Sequence, residues 1–408
     1  LSFSTFQFHP AVDAGIAAAG FTIPTPIQTQ AIPALMQGQD VMGLAQTGTG
    51  KTAAYALPLL HRLMSKKGVG LRALILAPTR ELAEQIHQDI TVLARHTRLR
   101  SITVYGGVGL NPQIQSLRKG AAEIVIACPG RLIDHMNRGN VDFRNLEALV
   151  LDEADQMLDM GFAPDIRKIL KQLPRERQTL MFSATMPDEI RKLAFEALRQ
   201  PVVVKVGATA PADTVRHIHF PVAQDLKTPL LLRILKETKI ASVLVFTRTK
   251  QRAKRLGEIL AKAGYGATSL QGNLSQARRQ AALDGFRSGK FQILVATDIA
   301  ARGIDVSNVS HVVNFDIPTT ADAYIHRIGR TGRAERSGEA FNLVTTDDHP
   351  IVRAIDRIIG TRIEQRILPD FDYKPATRPA RDVTERPARP WKTIRKPVRR
   401  SYAMGRAV

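Results

Sequence analysis

The chain has 408 residues and 44% hydrophobic content, enough for about two domains with real cores plus an appendage, which excludes wholesale disorder. Its 58 Lys and Arg against 37 acidic residues give a formal charge of +21, for which nucleic acid is the first partner to test, although anionic membranes and plain solubility also select basic surfaces. No apolar run approaches the roughly 18 residues of a membrane span, and the single cysteine, Cys128, excludes an intrachain disulfide or a cysteine-rich zinc site and suits a reducing cytoplasm.

The first residue is Leu1 and no basic signal region follows it, so a start residue or longer segment is expected upstream. Short apolar runs at 41–44, 73–77, 102–105, 124–127, 148–151, 180–182 and 202–206 alternate with helical patterns such as 81–94 and 187–198. That alternation predicts an α/β fold, a mostly parallel sheet flanked by helices. Small residues at 207–214 read as a linker. A second series at 217–222, 243–246, 267–270, 293–296, 312–315 and 340–344 predicts a second α/β domain. The expected division is therefore 1–206, the linker, 215–370 and a tail, 371–408. Residues 374–408 hold 11 Lys or Arg, 2 acidic residues, five prolines and two copies of Arg-Pro-Ala-Arg, a composition that predicts a basic disordered tail. Two domains and a flexible linker leave a cleft between them.

Ala45-Gln-Thr-Gly-Thr-Gly-Lys-Thr52 follows the first apolar run and opens a helical pattern. Gly48 and Gly50 let backbone N–H groups turn onto phosphate oxygens, with Gln46, Thr47 and Thr49 completing the loop. Lys51 would neutralise the outer phosphates and Thr52 offers a hydroxyl to Mg²⁺. The run at 148–151 leads straight into Asp152-Glu-Ala-Asp155. Buried carboxylates at a strand end need a cation or partner. Asp152 suits a Mg²⁺ ligand and Glu153 a base that aligns the attacking water; the same residues also read as an acidic helix cap. Together the two motifs predict a nucleotide triphosphatase. Upstream, Gln28 carries a donor and an acceptor on one plane and can pair with adenine. Phe21 and Phe3 are candidates to lie over the base, and Phe3 reads equally as core.

These motifs resemble those of the DEAD-box ATP-dependent RNA helicases of superfamily two, and the match runs in order along roughly residues 1–368. The short N-terminus and basic tail resemble the bacterial RhlE-like branch. The resemblance implies two tandem RecA-like domains, ATP and Mg²⁺ as ligands, and RNA bound through sequence-independent backbone contacts, with ribosomal or RNA-decay proteins as possible partners. It assigns Thr79 and Arg80 of Pro78-Thr-Arg-Glu-Leu82 to RNA phosphate, though Thr79 also reads as a helix cap. Gly107, of Gly106-Gly107, would admit the RNA backbone or form a simple turn. Cys128-Pro-Gly-Arg131 stands where the family has Thr-Pro-Gly-Arg, so the thiol weakens one contact while Arg131 remains a phosphate ligand. Ser183-Ala-Thr185 would couple nucleotide state to unwinding, and also reads as a helix start.

In the second domain, His326-Arg-Ile-Gly-Arg-Thr-Gly-Arg333 places three arginines at spacings of three, which alone reads as a solvated basic face. The resemblance makes Arg327 and Arg330 γ-phosphate ligands, Arg333 a structural partner and His326 a coupling residue. Asp305 would face the ATP ribose, and Arg248, Gly272 and Thr297 the RNA. ATP and RNA would each favour closure of the cleft, closure would bend one strand out of a duplex, and hydrolysis would reopen it. A DNA translocase and an RNA annealing clamp are the competing readings.

Overall fold

Each apolar run becomes a strand, and the strands sort into two sheets. β1 (Val41–Leu44), β2 (Ala73–Leu76), β3 (Ser101–Val104), β4 (Ile124–Ala127), β5 (Ala148–Leu151), β6 (Gln178–Ser183) and β7 (Val202–Lys205) lie in the order β3-β4-β2-β5-β6-β1-β7. β8 (Val215–Pro221), β9 (Val243–Phe246), β10 (Ala267–Leu270), β11 (Ile293–Ala296), β12 (His311–Asn314), β13 (Gly338–Val344) and β14 (Glu364–Gln365) lie in the order β10-β11-β9-β12-β13-β8-β14. Position by position the two orders correspond, and the strand pairings are parallel. These are tandem RecA-like domains. The computed structural model describes residues 2–46, 48–118, 122–206, 215–238, 240–301, 309–331 and 338–374. The expectations for Thr47, the linker 207–214, Asp305, Arg333 and the tail beyond 374 lie outside the described residues.

The strands β2, β4, β5, β9 and β11 are apolar throughout because both faces of each sheet are covered there. In β2, Ala73 and Ile75 join one core while Leu74 and Leu76 join the other. β9 and β11 do the same in the second domain: Val243, Val245, Ile293 and Val295 face one way, and Leu244, Phe246, Leu294 and Ala296 the other. Each such side chain contributes about 1.5–3 kcal/mol by burial, so each domain has its own driving force to fold. Among the described residues, no helix is long and apolar enough to cross a membrane.

The arrangement places function at one end. In a parallel sheet the loops that follow the strands emerge at their carboxyl ends, where open α/β sheets hold ligands. The loops after β3, β4 and β2 are neighbours at one side of the first sheet, and those after β5, β6 and β1 at the other. One side carries Arg80, Gly107 and Arg131; the other carries Lys51, Asp152 and Ser183.

Candidate functional site

The phosphate loop turns through two glycines of positive φ, Gly48 at +83° and Gly50 at +90°. Gly50 is the residue before helix Lys51–Ser65. A Cβ there would stand 2.5 Å from Gln28 Nε2, so only glycine admits this contact. Thr49 Oγ1 donates to Gln46 O at 2.7 Å and tightens the turn. Lys51 is only 6% exposed, and its Nζ has no hydrogen-bond partner among the described residues. A buried, unpaired ammonium at a helix N-terminus calls for an anion.

Across from it, β5 ends at Asp152 and Glu153, both buried. Burial pushes both carboxyls above their ordinary values, and the charge of Lys51 opposes that shift. Asp152 is held from two sides: Tyr55 Oη donates to its Oδ2 at 3.0 Å, and the Glu153 N–H to its Oδ1 at 2.9 Å. Tyr55 is fully buried one turn after Lys51 on the same helix, so a single helix face supplies the ammonium and the donor that orients the carboxylate. Glu153 adopts φ +50°, a left-handed conformation uncommon for a non-glycine residue and frequent at functional positions. Thr52 follows Lys51 in the first helical turn.

Asp155, the last residue of the acidic motif, is a junction. Its Oδ2 accepts from the N–H groups of Ala184 and Thr185 at 3.0 and 2.9 Å and from Thr185 Oγ1 at 3.2 Å. His326 Nε2 of the second domain lies 3.7 Å from the same oxygen. Ser183 Oγ donates to Thr185 O at 2.8 Å. The three expected coupling residues, Ser183, Thr185 and His326, therefore meet around a carboxylate that the sequence reading left without a role.

Several expectations need correction. Arg327, expected at the γ-phosphate, has its guanidinium engaged within the second domain. Asp298 grips its guanidinium through Nε and Nη2, Asn314 Oδ1 and Asp316 O accept from Nη1 at 2.8 and 2.7 Å, and the group stacks 4.8 Å from the Phe246 ring. Arg327 thus ties three loops of the second domain together. Arg330 is buried and near enough to Glu153 for its charge to oppose that carboxyl's upward shift. Gln28 is likewise engaged within the protein: Oε1 accepts from Thr25 N–H at 2.9 Å and Nε2 donates to Gly50 O at 3.1 Å, which ties a helix cap to the phosphate loop. Phe3 is buried and stacked on Phe21 at 6.1 Å, which leaves Phe21, 40% exposed, as the accessible ring. Gly107, at φ +84°, packs against Arg80 instead: a Cβ would lie 2.0 Å from Arg80 Nη1.

The RNA-facing candidates converge on one cleft of about 490 Å³ between the domains. Thr79, Arg80 and Arg131 line it from the first domain, and Arg248, Gly272 and Thr297 from the second. Thr79 also caps helix Arg80–Leu93, accepting from Leu82 N–H at 3.3 Å, so both of its readings stand. Arg80 and Arg131 each bring a guanidinium nitrogen within 4 Å of the space beside Gly106, a doubled positive charge suited to a phosphate. Arg248 is aligned through its backbone N–H, which donates to Asp316 Oδ2 at 2.8 Å. Cys128 sits at the N-cap of helix Pro129–Asn137 but makes no capping bond, and burial pushes its thiol up to about 12. The sequence reading also missed an ion pair across this cleft, Arg279 Nε to Glu81 Oε1 at 2.8 Å. The domains are closed on each other here.

Comparison with known proteins agrees with this geometry. The family model described as DEAD/DEAH box helicase matches residues 25–193, and the helicase conserved C-terminal domain matches 226–335. DEAD-box ATP-dependent RNA helicase CshA of Bacillus cereus is 42% identical over 88% of this chain and 68% of its own length. The protein of the same name from Geobacillus kaustophilus is 43% identical over 88% of this chain and 76% of its own. These relatives carry the CshA name, which replaces the RhlE-like branch expected from the ends of the chain. S. cerevisiae Dbp5 bound to RNA and ADP BeF3 superposes with a TM-score of 0.79 at 30% identity, over 90% of this chain and 95% of that one. Mss116p bound to ssRNA and AMP-PNP gives 0.80 at 28% identity, over 89% and 78%. The chain belongs to the DEAD-box ATP-dependent RNA helicases.

Proposed function

We propose that this helicase hydrolyses ATP with Lys51, Asp152, Glu153 and Arg330 and holds RNA with Thr79, Arg80, Arg131, Arg248, Gly272 and Thr297, local strand separation following from cleft closure. The observation that carries this reading is the unpaired, buried Lys51 ammonium facing two buried carboxyls whose protonation it opposes. A triphosphate would supply the anion that Lys51 lacks. Mg²⁺ fits the oxygen donors Thr52 and Asp152, and when bound it would neutralise phosphate charge. Mg²⁺ in such sites commonly keeps several waters and is completed by substrate phosphates.

Glu153 is placed to take a proton from water, and its raised affinity for protons brings it nearer to neutral pH for that task. Arg330 approaches from the second domain, so this charge reaches the site only on closure. Closure also assembles the RNA cleft from both domains, and ATP and RNA binding should therefore favour each other. Arg80, Arg131, Arg248 and Lys250 give the cleft positive charge on both domains, in keeping with contacts to the RNA backbone. We further place the division between domains in 207–214, the work of the enzyme in the cytoplasm and a role for the basic tail in holding RNA.

The test is Glu153→Gln. It should bind ATP and RNA normally, lose strand displacement by at least about a hundredfold, and hold RNA with ATP longer than the parent does. Loss of ATP affinity instead would remove Glu153 from the proton-accepting role.

A further inference from the structure

A second concave site lies at the far side of the second sheet from the RNA cleft. It is a cavity of about 810 Å³ over β8, β14 and helix His349–Ile359, and it shares no residue with the cleft between the domains. Its floor is His219, in the middle of β8 and 2% exposed, with neither ring nitrogen hydrogen-bonded among the described residues. The charged neighbour of that imidazole is Asp356, whose Oδ1 lies 3.9 Å from Nε2 and already accepts from Ile363 N–H at 3.3 Å. A buried polar ring without a partner is costly unless something arrives to pair with it.

The rim supplies the charge. Arg353, Arg357 and Arg362 line the cavity, are exposed, and form no ion pair among the described residues. The other local carboxylate, Glu364, is shared by Arg216 and Arg366 at 3.0 Å each. Arg357 in the last helical turn is favoured by the helix dipole, but Arg353 one turn earlier faces it as a like charge at i,i+4, which is unfavourable without an anion between them. Arg362 lines the same cavity, two residues beyond Gly360 in the chain. Guanidinium forks lining one concavity match phosphate oxygens, and three of them exceed what a single phosphate needs. Val352 and Ile363 add an apolar wall.

We propose that this cavity binds a small molecule carrying two or more phosphates, its oxygens on Arg353, Arg357 and Arg362 and its inner end over the buried His219 ring. The occupant is a compact ligand rather than an RNA strand because the three arginines line one concavity that shares no residue with the RNA cleft. A ligand here would bind the second domain without competing with ATP.

The experiment titrates inorganic tripolyphosphate into the full chain carrying Lys51→Ala, which disables the phosphate loop, while the His219 ring is followed by NMR. Saturable binding is expected, with a shift of the His219 resonance and displacement of its titration to higher pH, since an anion favours the imidazolium. Adding Arg353→Gln and Arg362→Gln should weaken binding roughly tenfold or more. The same pair of exposed substitutions in the parent chain should leave RNA-stimulated ATPase activity intact. ADP binding more tightly than pyrophosphate would assign the apolar wall to a base, and equal binding would assign the site to bare oligophosphate. An unmoved His219 resonance at saturation, or equal affinity with and without the two arginines, overturns the proposal. A shift produced by single-stranded RNA but not by tripolyphosphate also overturns it.

Discussion

The Glu81–Arg279 pair gives the sharpest test of cleft closure. Its N–O distance is 2.8 Å and its side chains are 6% and 10% exposed, yet the partners belong to different domains. At an effective dielectric of about 20 the attraction is roughly 6 kcal/mol, most of it offset by desolvation. Removing one partner leaves the other charge buried and unpaired, which costs about 3 kcal/mol in the closed state only; in the open state both groups reach water. That amounts to about two decades in the closure equilibrium. Glu81→Gln discriminates because the alternative has the opposite sign. If Glu81 merely repelled RNA phosphates, its removal would tighten RNA binding. If it secures closure, RNA affinity measured with a non-hydrolysable ATP analogue should fall by up to a hundredfold, while affinity without nucleotide changes little. Adding Arg279→Gln should restore most of the loss, since neither charge is then orphaned. Tighter RNA binding by Glu81→Gln with the analogue, or losses that simply add in the double variant, would refute the argument.

Arg327→Ala should destabilise the second domain by about 3–5 kcal/mol by stranding Asp298 and the stacked Phe246 ring, seen as a lowered midpoint in thermal unfolding. Arg330→Ala should lower that midpoint less than Arg327→Ala does while lowering ATP turnover more; the reverse pattern would exchange their assignments. Cys128→Thr should gain about 1 kcal/mol of stability, because the hydroxyl can cap helix Pro129–Asn137 where the thiol does not, and RNA affinity should stay level or rise. Unchanged stability would mean the buried site rejects the hydroxyl. Ending the chain at Tyr373 removes a net +9, with 11 basic residues. If about five of these meet phosphates, the slope of log RNA affinity against log salt should weaken by roughly 3.5, and parallel lines would show that the tail does not touch RNA.

The strands and the main motifs were legible because both rest on local chemistry. Continuous apolar runs announce strands buried on both faces, and Gly48, Gly50, Lys51, Asp152 and Glu153 announce phosphate chemistry within a few residues of sequence. β14, two exposed residues paired with β8, carries no such signal. Local spacing was also silent on what each side chain touches. The arginines at 327 and 330 look alike along one short stretch, yet Arg327 turns inward to Asp298, Asn314 and Asp316 while Arg330 nears Glu153. Gln28 spends its amide on Thr25 and Gly50 because the fold brings a helix cap against the phosphate loop. The Glu81–Arg279 pair spans 198 residues and exists only because closure brings the two domains together. Strand order did the rest. It set the loops after β2, β3 and β4 beside one another and those after β1, β5 and β6 beside one another, separating an RNA side from a nucleotide side. Residue type records what a group can do; its partner is set by contacts between segments far apart in the chain.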